Sequence, residues 1–232
     1  MREHLPLVRY NRLMPLDNRT SLLNLIATHS FKLGDFLLAS GRRSDYYIDC
    51  RTTTLHAEGG RLAGLLLYEL IREQFPEAEA VGGLTMGADP LVANTASASA
   101  WALADYREIL ELSGALEFEE DDDPGPEPTL VHGFLVRKAE KAHGTGRRVE
   151  GFLKAGASVV IVDDVCTTGG STITAIEATR EAGMVVVGVL CLVDREQGGR
   201  AAIEAAAGDA PFLALYTASD VRKAHVAAQG FK

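Results

Sequence analysis

The chain has 232 residues, 47% hydrophobic and 24% charged, with a formal net charge of −9. This is the composition of a soluble globular protein with enough length for one large core. No apolar run approaches the ~18 residues of a membrane span, and the acidic balance argues against nonspecific nucleic-acid binding, which needs a basic face. The N-terminal MREHLPLVRYNRLMPLDN is broken by charges and prolines and lacks a signal-peptide core. Cys50, Cys166 and Cys191 have no metal-type spacing and read as reduced thiols. A cytoplasmic protein with no membrane or nucleic-acid partner is the expectation. A small anionic substrate remains open, because a local cluster of Lys and Arg reverses the field inside one cleft.

From about Asp17 to Ser30 the spacing of Leu22, Leu23, Leu25 and Ile26 predicts an amphipathic helix. FKLGDFLLASGRRSDYYIDCRTTT follows, with two extended stretches around Ser40-Gly41 that predict a β-hairpin. A second helix is expected from about Ala57 to Arg72. AVGGLTMGADP reads as a short strand entering a glycine-rich turn, and the alanine-rich Leu91 to Leu110 as a helix. EFEEDDDPGPEP, residues 117–128, reads as a solvated acidic insertion, because dense carboxylates repel and prolines block regular structure. The strand pattern resumes at once in LVHGFLVRK. Strand Val159–Val162, helix Gly170–Ala182, strand Val185–Val193, helix Arg200–Ala207, strand Phe212–Tyr216 and a helix from Asp220 then alternate. Near-continuous apolar strands between helices predict a parallel α/β sheet covered on both faces, with ligands at the carboxyl ends of its strands.

The stretch VVIVDDVCTTGGST carries the clearest chemistry. It leaves a strand and opens a helix, presenting free N–H groups and the positive end of a helix dipole. Gly169 and Gly170 permit close approach, and the hydroxyls of Thr167, Thr168, Ser171 and Thr172 add donors. A phosphate monoester fits. The lysine of a Walker A loop and the GxGxxG fingerprint are both missing. Asp163 and Asp164 cannot face the same phosphate, since their repulsion grows as water is excluded. A ribose diol, which donates two hydrogen bonds to an acceptor-only carboxylate, is their natural partner, as is a Mg²⁺ held by those hydroxyls. Singly, these features also suit a buried strand and a capped helix with solvated acids. Together they describe a ribose 5-phosphate site.

VVIVDDVCTTGGST resembles the phosphoribosyl-pyrophosphate (PRPP) motif of the type I phosphoribosyltransferases. VRKAEKAHGTGRR reproduces the R-K-x-x-K-x-H-G mobile catalytic loop of the orotate phosphoribosyltransferases, and FLLASGRRSDYYIDCR resembles their N-terminal hairpin. The resemblance implies PRPP contacts from Arg137, Lys138, Lys141 and His143. It implies further contacts along Asp163, Asp164, Val165, Cys166, Thr167, Thr168, Gly169, Gly170 and Ser171, and from Thr85 and Met86 in the diphosphate turn. Asp163, Asp164, Lys141 and His143 are the implied catalytic residues. Orotate is implied to lie against Tyr47, Ile48 and Thr167, with Arg195 of the VDRE stretch forking onto its carboxylate. Tyr46, taken singly, reads as ordinary strand packing. Ala39 and Met86 stand where some relatives carry a lysine, so that charge must come from elsewhere.

The resemblance therefore implies one phosphoribosyltransferase domain over 1–232, with residues 1–55 forming a small hood over a parallel-sheet core flanked by helices. The implied reaction joins orotate and PRPP to give orotidine 5′-phosphate and diphosphate in pyrimidine biosynthesis. It uses Mg²⁺ bound mainly through PRPP near Asp163 and Asp164, with no dedicated metal ligands. A homodimer with active sites shared across its interface is implied as well. The alternatives are a purine phosphoribosyltransferase, which has no use for Arg195, and a PRPP-sensing regulator, which should display a basic surface and has no need of the lysines.

Overall fold

A computed structural model of the chain describes residues 17–37, 43–115, 125–138 and 148–230. Ala39, the Ser40-Gly41 turn, Lys141, His143 and residues 117–124 of the acidic insertion lie outside the described residues. Asp17 starts the first helix by accepting the Arg19 N–H at 3.2 Å. The helix runs as α1, Asn18–Leu25, and closes in a π-helical turn, Ile26–Ser30, which sends Leu22, Ile26 and Ala27 into the core. The expected hairpin forms a two-stranded antiparallel sheet of its own: β1, Phe31–Leu37, and β2, Arg43–Ile48, with Phe31 opposite Ile48. Most of it is exposed, and only Phe31 and Ile48 at its base are buried. A single helical turn, α2, Arg51–Thr54, follows; it is too short to carry a periodic signal. His56 caps α3, Ala57–Gln74, through Nδ1, which accepts the Gly59 N–H.

The main sheet has six strands: β3, Ala80–Leu84; β4, His132–Val136; β5, Val149–Gly151; β6, Ser158–Cys166; β7, Val185–Asp194; and β8, Phe212–Thr217. Their spatial order is β5-β4-β3-β6-β7-β8. All neighbours are parallel except β5, which runs antiparallel to β4. The parallel sheet expected from sequence is therefore mostly parallel, and three residues are too few for β5 to show an alternation. The helices α4, Asp89–Ala115; α5, Gly170–Glu181; α6, Gly199–Ala207; and α7, Ala218–Gln229 complete the fold. Thr217 and Asp220 cap α7 reciprocally, a capping box.

The two-residue period of β6 divides the core between the faces of the sheet. Val160 and Val162 join Leu62 and Leu67 of α3 and Leu91 of α4. Val159 and Ile161 join Ala175 and Ile176 of α5 and Ile203 of α6. Each such side chain contributes roughly 1.5–3 kcal/mol when fully buried, which anchors β6 on both faces at the point where strand order reverses. Ligands of open α/β sheets bind there, at the carboxyl ends.

Strand β6 is also longer than expected. It continues past Val162 to Cys166, which pairs with Asp194 of β7. Asp163 and Asp164 thus sit inside the ladder and not beyond its end.

Candidate active site

The carboxyl ends of β3, β4, β6 and β7 and the base of the hairpin enclose a cleft of about 540 Å³. Strand β6 brings the acids to it. Asp163 is only 7% exposed, and both its oxygens are engaged: Oδ2 accepts the Thr172 hydroxyl at 2.8 Å and Oδ1 accepts the Asp164 N–H at 3.0 Å. Asp164 lines the same cleft more openly, with Oδ1 accepting the Val165 N–H at 2.9 Å. Burial first, and then the charge of Asp164, push the Asp163 carboxyl up to about 7. Burial also raises Asp164; the Val165 N–H and the nearby Arg51 oppose that rise, and Asp49 adds to it. The two acids are thus unequal. Asp163 is buried and holds its neighbours, whereas Asp164 is partly exposed to the cleft.

The phosphate-type loop follows from strand β6. Gly169 takes φ +82°, which L side chains rarely adopt, and no side chain caps α5 there. The leading N–H groups of α5 accordingly face the loop. A Cβ on Gly199 would meet Cys166 Sγ at 2.6 Å and the Thr167 carbonyl at 2.7 Å, so α6 buttresses the loop from behind. Thr167, Ser171 and Val165 line the cleft, whereas Thr168 and Gly170 are exposed beside it and Cys166 is buried beneath. The Thr172 hydroxyl, expected among the loop's donors, is spent on Asp163, because that side chain is 1% exposed and turned inward.

Thr85 and Met86 line the opposite wall with Gly87, whose ideal Cβ position lies 2.5 Å from Asp164 Oδ1. The Thr85 N–H donates to the Val136 carbonyl at 2.9 Å, so its backbone donor is committed to the sheet. Lys138 lines the cleft. Arg137 pairs with Glu150 of the edge strand at 3.2 Å and does not line it.

The hairpin supplies Tyr47 and Ile48, and β7 delivers Arg195 between them and the loop. Arg195 is 7% exposed, its N–H donates to the Cys166 carbonyl at 2.8 Å, and its Nε is buried without a partner among the described residues. Among the described residues it makes no ion pair with the adjacent Glu196. Glu196 instead accepts from Ser219.

Sequence reasoning missed Asp49 and Arg51. They form a bidentate pair, Nε to Oδ1 at 2.9 Å and Nη2 to Oδ2 at 2.8 Å, on the cleft wall near Asp164. The D-x-R spacing in IDCR was the available signal. Arg51 provides a cation in a cleft whose Met86 position lacks one. The three cysteines are free and buried; burial pushes their thiols up, Cys166 to about 12, which leaves them poor nucleophiles. Among the described residues, no helix is long and apolar enough to cross a membrane, and no group of three or more His, Cys, Asp or Glu side chains could hold a metal ion.

A phosphoribosyl transferase domain model matches residues 131–205, the segment from β4 to α6. The orotate phosphoribosyltransferase of Synechocystis sp. is 38% identical over 208 residues, covering 89% of this chain and 90% of that protein. The Mycobacterium tuberculosis H37Rv orotate phosphoribosyltransferase solved with Fe(III) dicitrate superposes with a TM-score of 0.66 at 35% identity, covering 88% of this chain and 98% of that one. A structure of that protein with 5-phospho-alpha-D-ribosyl 1-diphosphate gives 0.64 at 30% identity, covering 88% and 99%. A shared α/β architecture, a matching domain model and this identity across nearly the whole chain place the protein in the orotate phosphoribosyltransferase family.

Proposed function

We propose that the cleft transfers the 5-phosphoribosyl group of PRPP to orotate, giving orotidine 5′-phosphate and diphosphate for pyrimidine synthesis. One observation carries this reading. A buried arginine whose Nε has no partner among the described residues shares a cleft with an uncapped helix N-terminus and the two acids of β6. The arginine suits an anionic base, the acids a ribose diol and the helix N-terminus a phosphate.

In this reading the α5 N-terminus and Ser171 hold the 5-phosphate, and Asp164 accepts from the ribose hydroxyls. Arg195 forks onto the orotate carboxylate while Tyr47, Ile48 and Thr167 bracket the ring. Positive charge grows at the anomeric carbon as diphosphate departs, and the buried acids lie where it develops. Their raised proton affinity makes that cation their favourable partner. Lys138, Arg51 and, by resemblance, Lys141 and His143 meet the charge of the leaving diphosphate. By the same resemblance, the Lys141 loop would shield the site from water that hydrolyses the sugar.

The residues fit Mg²⁺ as a metal carried chiefly by substrate oxygens. Asp164 is a hard oxygen donor on the cleft, whereas Asp163 and Asp49 are engaged by Thr172 and Arg51. Mg²⁺ supplies neutralisation of diphosphate charge when bound. A cytoplasmic homodimer, in which one subunit's loop reaches the other's cleft, completes the proposal.

The test is loss of orotate absorbance with PRPP and Mg²⁺, run beside adenine, hypoxanthine and uracil. Turnover of orotate alone supports the assignment; turnover of a purine in its place refutes it.

A further inference from the structure

The arginine proposed to select the base is held by a residue that sequence reads as mere packing. The backbone of Arg195 is fixed by its N–H bond to Cys166 and by Glu196, which takes φ +59° and donates its N–H to Asp194 Oδ1 at 2.8 Å. Its side chain has no carboxylate partner among the described residues. The guanidinium carbon sits 4.8 Å from the centroid of the Tyr46 ring, and Nη2 lies 3.4 Å from Ser44 Oγ. Ser44 and Tyr46 are two apart on β2 and so share a face.

The ring is itself fixed. Phe31 stacks on Tyr46 with centroids 5.4 Å apart and planes 17° from parallel. Arg222 of α7 places a second guanidinium carbon 5.3 Å from the same centroid and forms an ion pair with Asp45, the residue before. An arginine held by a ring contact and a single Nη2 bond keeps the rest of its N–H edge for a ligand. A carboxylate paired to it would consume that edge instead.

We propose that Tyr46 is a positioning residue: its ring, clamped by Phe31 and Arg222, orients Arg195 toward a carboxylate-bearing base, so that specificity depends on the hood's docking to α7. This rests on the orotate reading above, which supplies the carboxylate. A positioning role predicts a split that simple packing does not, because only the base should feel the ring.

The experiment measures both Michaelis constants for wild type, Tyr46→Phe, Tyr46→Leu and Arg222→Gln. Tyr46→Leu should raise KM for orotate about tenfold or more and leave that for PRPP within about twofold, in line with a desolvated cation–ring contact. Tyr46→Phe, which keeps the ring, should stay within about twofold of wild type for both substrates. Arg222→Gln loosens the clamp from a half-buried position outside the cleft and should raise KM for orotate about threefold, so the idea stays testable even if Tyr46→Leu does not fold. Equal changes for the two substrates, or no change with either Tyr46→Leu or Arg222→Gln, overturn the proposal. A wild-type enzyme that does not consume orotate overturns the function itself, a separate result.

Discussion

Replacing Asp163 by Asn should stabilise the ligand-free protein at pH 8 while costing activity. The carboxyl is 7% exposed and serves two donors, the Thr172 hydroxyl and the Asp164 N–H. An asparagine has the same shape. Its oxygen can accept the Asp164 N–H, and its amide can donate to Thr172 Oγ1, since a hydroxyl also accepts. The hydrogen bonds survive and the buried charge is gone. Burial and Asp164 raise the wild-type carboxyl from its ordinary 3.8 to about 7. A raised folded-state value means stability that is present in full below about pH 4 and lost as pH climbs through about 7. At about 1.4 kcal/mol for each tenfold change in proton affinity, the ceiling on that loss is about 4 kcal/mol. Each kcal/mol moves Tm by roughly 2–4 °C in a chain of this size. Thermal and urea unfolding at pH 4 to 8 without substrates should show the two proteins matching near pH 4. The gap should open through pH 7 in favour of Asn. An Asn variant less stable than wild type at pH 8, or a gap that ignores pH, would refute the account of Asp163 as a buried, proton-holding acid.

Three other perturbations test the remaining parts of the site. Arg195→Ala should raise KM for orotate far more than KM for PRPP, by roughly 2–5 kcal/mol of lost pairing; equal shifts in both constants would make Arg195 structural. Arg51→Gln should weaken PRPP more than orotate and move the acid limb of the pH–rate profile upward, since Arg51 is one of the groups that lower the Asp164 carboxyl; an unmoved acid limb counts against it. Asp164→Asn and Lys141→Ala, each nearly inactive alone, should regain activity in proportion to heterodimer when refolded together, and heterodimers that stay inactive would show that the loop serves its own subunit.

Much of the fold was legible in the chain because its signals are local. The apolar runs at β6, β7 and β8 and the helical spacing of α3 and α5 placed those elements within a few residues. The DDVCTTGGST turn announced a phosphate-type loop because strand end, glycine and helix start are adjacent in sequence. What only the tertiary structure decided involves partners far apart in the chain. Pairing with β7 carries β6 past Val162 and buries Asp163, so of two acids that look alike in sequence one is buried and bonded to Thr172 while the other lines the cleft more openly. The local D-x-R spacing marks the pairing of Arg51 with Asp49, but that the pair faces the cleft with Asp164 depends on residues more than a hundred positions away. Tyr46 meets Arg195 149 positions away and Arg222 beyond it. A side chain's neighbours across a sheet depend on the order in which strands pack, and no local pattern of residues carries that order.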